Sequence, residues 1–521
     1  MAAKVPLEEL GHDVLVDYVF PYLDLKDILS LSATNHYIRS CAQDTAVWHD
    51  LYTKEFGLQP NPFTMRKWPE MYKWRSTAGV YTWGQSSLGR LGYSFNDLDE
   101  DKRTQSGVAN RLHMSDRGAC KPNRVSKLKA TVVSDIVAGG YSFTILTGKG
   151  QLFGIGELRE HYTGPRRTGG VVAVPIHRGP FRIGIAVPPG TAVHHPGHPG
   201  NRNNSTASGE ESGNGQEIQS EDGLVRASSF HPPLSNDQRE TPKLLEVGDG
   251  GDQDVKFVSV SSGRQHILAQ DSEGKVWLWD RSYAIKGSLL EFPFPNRIIS
   301  AIAGWSRSLA IVKDIGIAFW ASQLTSDESS SKVQLTDEMV TIVPGTDTEN
   351  IVGVVGLESA IVYLTDDGEL YTYDMDQGTK TRMSLFEQKA QGTLVKLSGS
   401  FRRFAAFSDK DTVLLGAQGE FEPQITPELQ GVHCVSIAVG DYHALALLRG
   451  GKILSWGQES NSCGALGLGK QNVLMQEYGG EERGRGIYIA SPQPIELQGR
   501  ALAIAAGGWQ SAAIITDESS I

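Results

Sequence analysis

LAIAAGGWQSAAIIT, at Leu502–Thr516, reads as two apolar strands joined at a Gly-Gly turn, and it stops where a third strand is due. The strand it lacks stands alone near the opposite end of the chain, as VYTWG at Val80–Gly84. Between these ends the complete unit recurs. Its clearest copy is CVSIAVGDYHALALLRGGKILSWG at Cys434–Gly457, and further copies start at Ser134, Phe257, Ile298, Ile351 and Leu394. Six whole units and one shared between the ends make seven. A unit split in this way closes a ring by pairing the last strands with the first, so that no sheet edge stays open.

The turn glycines Gly139, Gly263, Gly304, Gly356, Gly399, Gly440 and Gly507 are separated by 124, 41, 52, 43, 41 and 67 residues. Most of these spacings match the roughly 40–50-residue period of propeller blades, and the two long ones must hold insertions. The larger insertion, residues 157–240, is rich in Gly, Pro, His, Ser and Asn. Such a composition buries too little apolar surface to offset chain entropy, so disorder is expected there. The smaller insertion falls within Gln471–Ala490.

Before Val80 the pattern changes from strand to helix. Leu15, Val16, Val19, Phe20 and Leu23 recur at helical spacing, with Pro21 as a kink or stop. Asp24 is placed to cap a second helix carrying Ile28, Leu29 and Leu31. Asp44 is placed to cap a third, with Val47, Trp48, Leu51, Tyr52 and Phe56 on one side and Gly57 as its stop. A short helix around Trp68–Arg75 is expected to brace this module against the ring. The organisation read from the sequence is therefore a helical module at 1–57, a helical linker at 58–79, and a propeller at 80–521 closed by 80–84 with 502–516.

The net charge of −11 argues against nucleic acid as a partner, which would call for a basic face. No run approaches the ~18 apolar residues of a membrane span, and Met1–Glu9 lacks a signal pattern, so a cytoplasmic or nuclear location is expected. Cys41, Cys120, Cys434 and Cys463 lie far apart with no CxxC pair, as for reduced structural thiols. His194-His195-Pro-Gly-His198 has no ligand partners at metal-binding spacing and reads as linker. Gly464-Ala-Leu-Gly-Leu-Gly-Lys470 has the spacing of a phosphate-cradling loop, but Gln471 stands where Ser or Thr would hold the metal. No nucleophile–base pair or paired carboxylates are recognisable, so neither catalysis, cofactor nor metal is expected.

The blade unit resembles the repeat of the regulator of chromosome condensation family. The resemblance rests on Gly440-Asp-Tyr-His443 with Ser455-Trp456-Gly457, on Gly263-Arg-Gln-His266, and on the loops Gly84–Gly92 and Gly464–Gly469. Asp13–Tyr52 resembles an F-box through to its late Trp48, although Leu10-Gly11 replaces the usual Leu-Pro. Together the two are similar to the fungal SCF-associated factor proteins. The resemblance implies a mainly β fold, a seven-bladed propeller of the chromosome-condensation-regulator type with an N-terminal three-helix F-box module. It implies work as the substrate receptor of a Skp–cullin–F-box ubiquitin ligase.

In that reading Leu15, Val19, Phe20, Leu23, Leu25, Ile28, Leu29 and Trp48 dock on the Skp adaptor, which bridges to the cullin scaffold. In the founding family the position two after each turn glycine lines the face that engages a small GTPase, using acidic and His side chains. Here those positions hold Tyr141, Gln265, Ser306, Glu358, Phe401, Tyr442 and Trp509, with Trp305 adjacent. Tyr and Trp serve as interface anchors, and Arg264, Arg307, Arg402 and Arg403 can pair with client carboxylates. The expected client site is therefore Tyr141, Arg264, Gln265, Trp305, Arg307, Phe401, Arg402, Tyr442 and Trp509. Two alternatives stay open, a GTPase exchange factor and an F-box scaffold acting outside the ligase.

Overall fold

The computed structural model describes residues 6–56, 67–104, 117–129, 131–158, 240–247, 255–280, 286–324, 331–460, 463–484 and 486–517. The disorder expected for residues 157–240 falls almost wholly outside them, as does the His194–His198 run.

Seven antiparallel-cored sheets form the ring. Numbered along the chain, the innermost strands of blades 1 to 7 are Val133–Ala138, Phe257–Ser262, Ile298–Ala303, Ile351–Gly356, Leu394–Ser400, Cys434–Val439 and Ala501–Ala506. In blade 7 the strand Gly79–Gln85 pairs with Gln510–Ile515 over Gly79↔Ile515 to Gly84↔Gln510, and Gly118–Arg124 completes the sheet outside it. The two ends of the chain thus share one sheet.

Every innermost strand carries a bulge at its second residue, from Val133/Asp135 in blade 1 to Ala501/Ala503 in blade 7. The repeat is therefore geometric even in blades 3, 4 and 5, which lack the sequence signature. Second strands such as Ser142–Thr147, Ala360–Thr365 and Gln510–Ile515 are buried at every position, because both sheet faces pack on neighbouring blades. One apolar cluster fills each of the seven blade interfaces. Between blades 6 and 7 the fully buried Trp83 anchors that cluster and donates its indole N–H to Ala465 O at 3.0 Å.

The phosphate-loop spacing at 464–470 has a structural explanation. Gly464 and Gly467 have φ of +84° and +71°, and a Cβ would sit 2.3 Å from Ala119 O at the first and 2.6 Å from Trp83 Nε1 at the second. The glycines let the loop press onto blade 7, which leaves no open cradle.

Among the described residues the N-terminal module forms four α-helices, one more than the sequence reading placed: α1 (His12–Tyr18), α2 (Leu25–Ser32), α3 (His36–Ala42) and α4 (Thr45–Phe56). The additional helix is α3, started by Asn35, whose side chain accepts from Ile38 N–H at 2.8 Å. Asp44 caps α4 by accepting from Ala46 N–H at 2.8 Å. Asp24 occupies the cap position of α2 without a side-chain cap bond; only its carbonyl serves, accepting from Asp27 and Ile28 N–H. Pro21 lies in a 3-10 turn at Phe20–Tyr22 that follows α1.

The helix α5 (Trp68–Thr77) leads from the module into the closing strand. Module and ring meet where blade 1 begins. Ser134 Oγ donates to Phe56 O, Arg75 donates to Ser134 O at 3.0 Å, and Val132 packs on the module's core. Arg500 lies over the Trp74 ring at 4.2 Å. These contacts gather at the start of the inner strands, whereas the Gly turns lie at their far ends. At ~3.3 Å per residue the two faces of the ring stand about 20 Å apart.

Candidate protein-interaction surfaces

The module's apolar residues divide into two sets. Leu15, Phe20 and Ile28 are each 1% exposed and form the core with Ile38, Val47, Leu51, Tyr52 and Phe56. A module this small needs its largest apolar side chains for its own core, so these three stand inside it rather than on its surface. Trp48 is half-buried as well, with its indole N–H donating to Ala42 O at 3.0 Å and its ring edge-on to Tyr72. Val19, Leu23 and Leu25 are partly buried against the same core.

The large apolar side chains that the module shows to solvent include Tyr22 (82% exposed), Tyr18 (72%), Leu29 (51%) and Val14 (41%), with Leu7 and Tyr37 also exposed. Val14 and Tyr18 are four apart on α1 and so share a face. Of the eight sequence-read positions, Leu29 alone belongs to the exposed set. Tyr18 and Tyr22 were passed over because they fall outside the apolar spacing that marks the buried stripe. That same interruption was the available signal for the outer face.

On the opposite face the Gly turns form a belt around the channel mouth. Gly140 N–H donates to Arg264 O (3.0 Å), Arg264 N–H to Trp305 O (3.2 Å), Trp305 N–H to Gly356 O (3.1 Å), Glu358 N–H to Phe401 O (2.7 Å) and Asp441 N–H to Gly507 O (3.2 Å). Side chains make the two remaining joints. Arg403 donates to Gly440 O at 3.2 Å, and Gln510 to Gly139 O at 3.2 Å. His443 sits under this belt with Nε2 2.7 Å from Ser511 Oγ, and burial with Arg403 nearby pushes its pKa down to about 3. Burial likewise lowers His266 to about 4. Both imidazoles are neutral structural groups at physiological pH.

The expected client residues do gather at this mouth, in unequal states. Tyr442 is exposed and lies 6.2 Å from the Trp509 ring, while Tyr141 is half-buried beneath the Arg90 guanidinium at 5.3 Å. Trp305 is buried, packed 4.7 Å from Phe401 and covered by Arg264 at 5.6 Å, so it supports the surface rather than projecting from it. Gln265 is engaged with Gln323 at 3.1 Å. Arg402 is paired with Glu358 at 2.6 Å. Arg264 and Arg307 are exposed.

One residue the sequence reading did not select is Asp441, just after the turn glycine of blade 6. Burial lifts its carboxyl to about 6 even though Arg264, Arg403 and Arg90 pull it down. Its place inside the Gly440-Asp-Tyr-His443 signature was the available clue.

Comparison with known proteins agrees with this architecture. Residues 12–54 match the F-box-like family and residues 434–465 match the Regulator of chromosome condensation (RCC1) repeat. The chain is 25% identical to SCF-associated factor 1 of Saccharomyces cerevisiae, covering 98% of each chain. It is 24% identical to F-box protein pof9 of Schizosaccharomyces pombe, over 99% of this chain and 91% of that protein. Among solved structures, Prp20p from Saccharomyces cerevisiae superposes with a TM-score of 0.52 at 12% identity, over 88% of this chain and 97% of that one. Human WBSCR16 gives the same TM-score at 13% identity, over 85% and 99%. These structural likenesses establish the ring fold.

Proposed function

We propose that this chain is the substrate-recognition subunit of a Skp–cullin–F-box ubiquitin ligase, acting in the cytoplasm or nucleus. The observation that carries the reading is the two-faced layout. An F-box-like module with exposed Tyr18, Tyr22 and Leu29 is fixed to one face of the ring, and the aromatic and arginine-rich mouth opens on the other. Near-full-length similarity to SCF-associated factor 1 supports the same assignment.

In this role the chain makes and breaks no bonds. The module docks on the Skp adaptor, the adaptor binds the cullin, and the propeller holds a protein client for ubiquitination and degradation. Tethering makes transfer to a client lysine quasi-intramolecular, which raises its rate through effective concentration. Rigid attachment of the module by Arg75 and Ser134 matters here, since a loose joint would dilute that concentration. The test is co-purification of the full-length protein with adaptor and cullin from cells. Recovery of both supports the receptor role, and recovery of the adaptor without cullin would favour a scaffold outside the ligase.

A further inference from the structure

The channel mouth has more arginines than it has free positive charge. Arg90 is buried, donating to Ser87 O and to Gln510 Oε1 at 2.9 Å each. Arg403 is spent joining blades 5 and 6 through Gly440 O and His443 O. Arg402 is neutralised by Glu358. Arg264 and Arg307 remain, on adjoining blades, with Arg264 over the Trp305 ring at 5.6 Å. Both are exposed, and no ion pair to either is found among the described residues.

We propose that the client segment is an extended anionic peptide whose acidic groups are gripped by Arg264 and Arg307, while its neighbouring side chains lie on the Tyr442–Trp509 aromatic pair. The inference rests on the receptor reading and narrows it to one class of client.

Three features favour an anion over other occupants. Guanidinium groups are weakly hydrated and present paired donors that match carboxylate or phosphate oxygens. Arg264 is already oriented by stacking on Trp305, so little side-chain freedom is lost when it binds. Asp441 carries a carboxyl on which Arg264, Arg403 and Arg90 all act, and no ion pair joins it to Arg264 among the described residues. Its Oδ1 accepts no hydrogen bond among the described residues, so it balances the arginines electrostatically without tying them up. The surface is selective because the chain as a whole carries −11. An acidic peptide is repelled elsewhere and has no generic reason to bind.

The test uses the full-length protein and fluorescein-labelled decapeptides of glutamate, of lysine, and of alternating serine and phosphoserine, read by fluorescence anisotropy at low salt. At least one anionic peptide is expected to bind at least tenfold more tightly than decalysine, and R264E/R307E to lose at least tenfold of that affinity with an unchanged melting temperature. The ranking of phosphoserine against glutamate assigns the anion. Equal binding of the anionic peptides and decalysine, or undiminished binding by R264E/R307E, would overturn the proposal. Adaptor binding measured on the same samples is the separate readout. Its loss in the wild type removes the receptor reading and leaves the anionic surface standing, whereas its retention with failed peptide binding removes only the surface.

Discussion

Replacing Trp83 by Ala tests whether the two ends of the chain hold the ring shut. Trp83 lies in the closing strand Gly79–Gln85 and is fully buried between blades 6 and 7, beside Leu91, Leu466 and Leu468. Truncating a buried Trp costs about 3–5 kcal/mol through lost transfer energy and the cavity left behind. The cavity has little chance to collapse, because Gly467 is pressed against the indole by a loop that is itself pinned on Ala119. The lost indole hydrogen bond adds little, since Ala465 O still accepts from Ser511 Oγ at 2.8 Å. The total is a large share of the about 5–15 kcal/mol that keeps a typical domain folded. Urea unfolding followed by far-UV circular dichroism reads the effect, with Trp74→Ala as comparator. Trp74 is half-buried on α5, and its ring contact with Arg500 is worth only about 1 kcal/mol. A midpoint for Trp83→Ala no lower than that of Trp74→Ala would refute closure through this strand.

The module separates binding from folding in the same way. Tyr18→Asp with Tyr22→Asp should reduce adaptor affinity at least tenfold (about 1.4 kcal/mol) without moving the melting temperature. Leu15→Asp should unfold the module, since it puts an unpaired charge into the core. Equal adaptor loss from both, with equal destabilisation, would show that Tyr18 and Tyr22 are structural. Glu459 gives a pH signature. Burial raises its carboxyl from 4.5 to about 7, against the pull of the Gly464 and Leu466 N–H groups. The folded state therefore keeps a proton that the unfolded state releases, so this group's contribution to stability falls as pH rises from about 4.5 to about 7. Glu459→Gln keeps an acceptor for Leu466 and should stabilise the protein at pH 8 by about 1–3 kcal/mol while flattening the slope over that window. A melting curve of unchanged pH dependence would contradict the buried charge. At the mouth, Asp441 faces Arg90, Arg264 and Arg403, with Tyr442 and Tyr141 nearby. Protonating it below about 6 should strengthen anionic-peptide binding, and Asp441→Asn should abolish that pH dependence in the anisotropy assay.

The ring was legible in the sequence because its second strands face neighbouring blades on both sides, so that strands such as Ser142–Thr147, Ala360–Thr365 and Gln510–Ile515 carry no charged residue. The fourth, outer strands were not. Gln424–Ile425 and Thr341–Ile342 are two residues long and exposed, so no pattern marks them. In the module, apolar spacing located the helices but could not say which residues they bury. Phe20 and Leu29 look alike in sequence, yet one is core and the other is solvent-facing. At the mouth, aromatic and arginine positions were visible from their offset to the turn glycines. Their states were not, because they depend on partners remote in the chain. Glu358 silences Arg402 from another blade, and Gly440 and His443 occupy Arg403.

The central claim is that one face of the molecule meets the ligase and the other meets the client. Hydrogen–deuterium exchange on the full-length protein, with and without a stoichiometric Skp adaptor, tests it most directly. New protection should appear in α1 and α2, His12–Ser32, with none in the turns following Gly263, Gly304 and Gly440. Protection at those turns, or a stable complex that leaves α1 and α2 unprotected, would contradict the account.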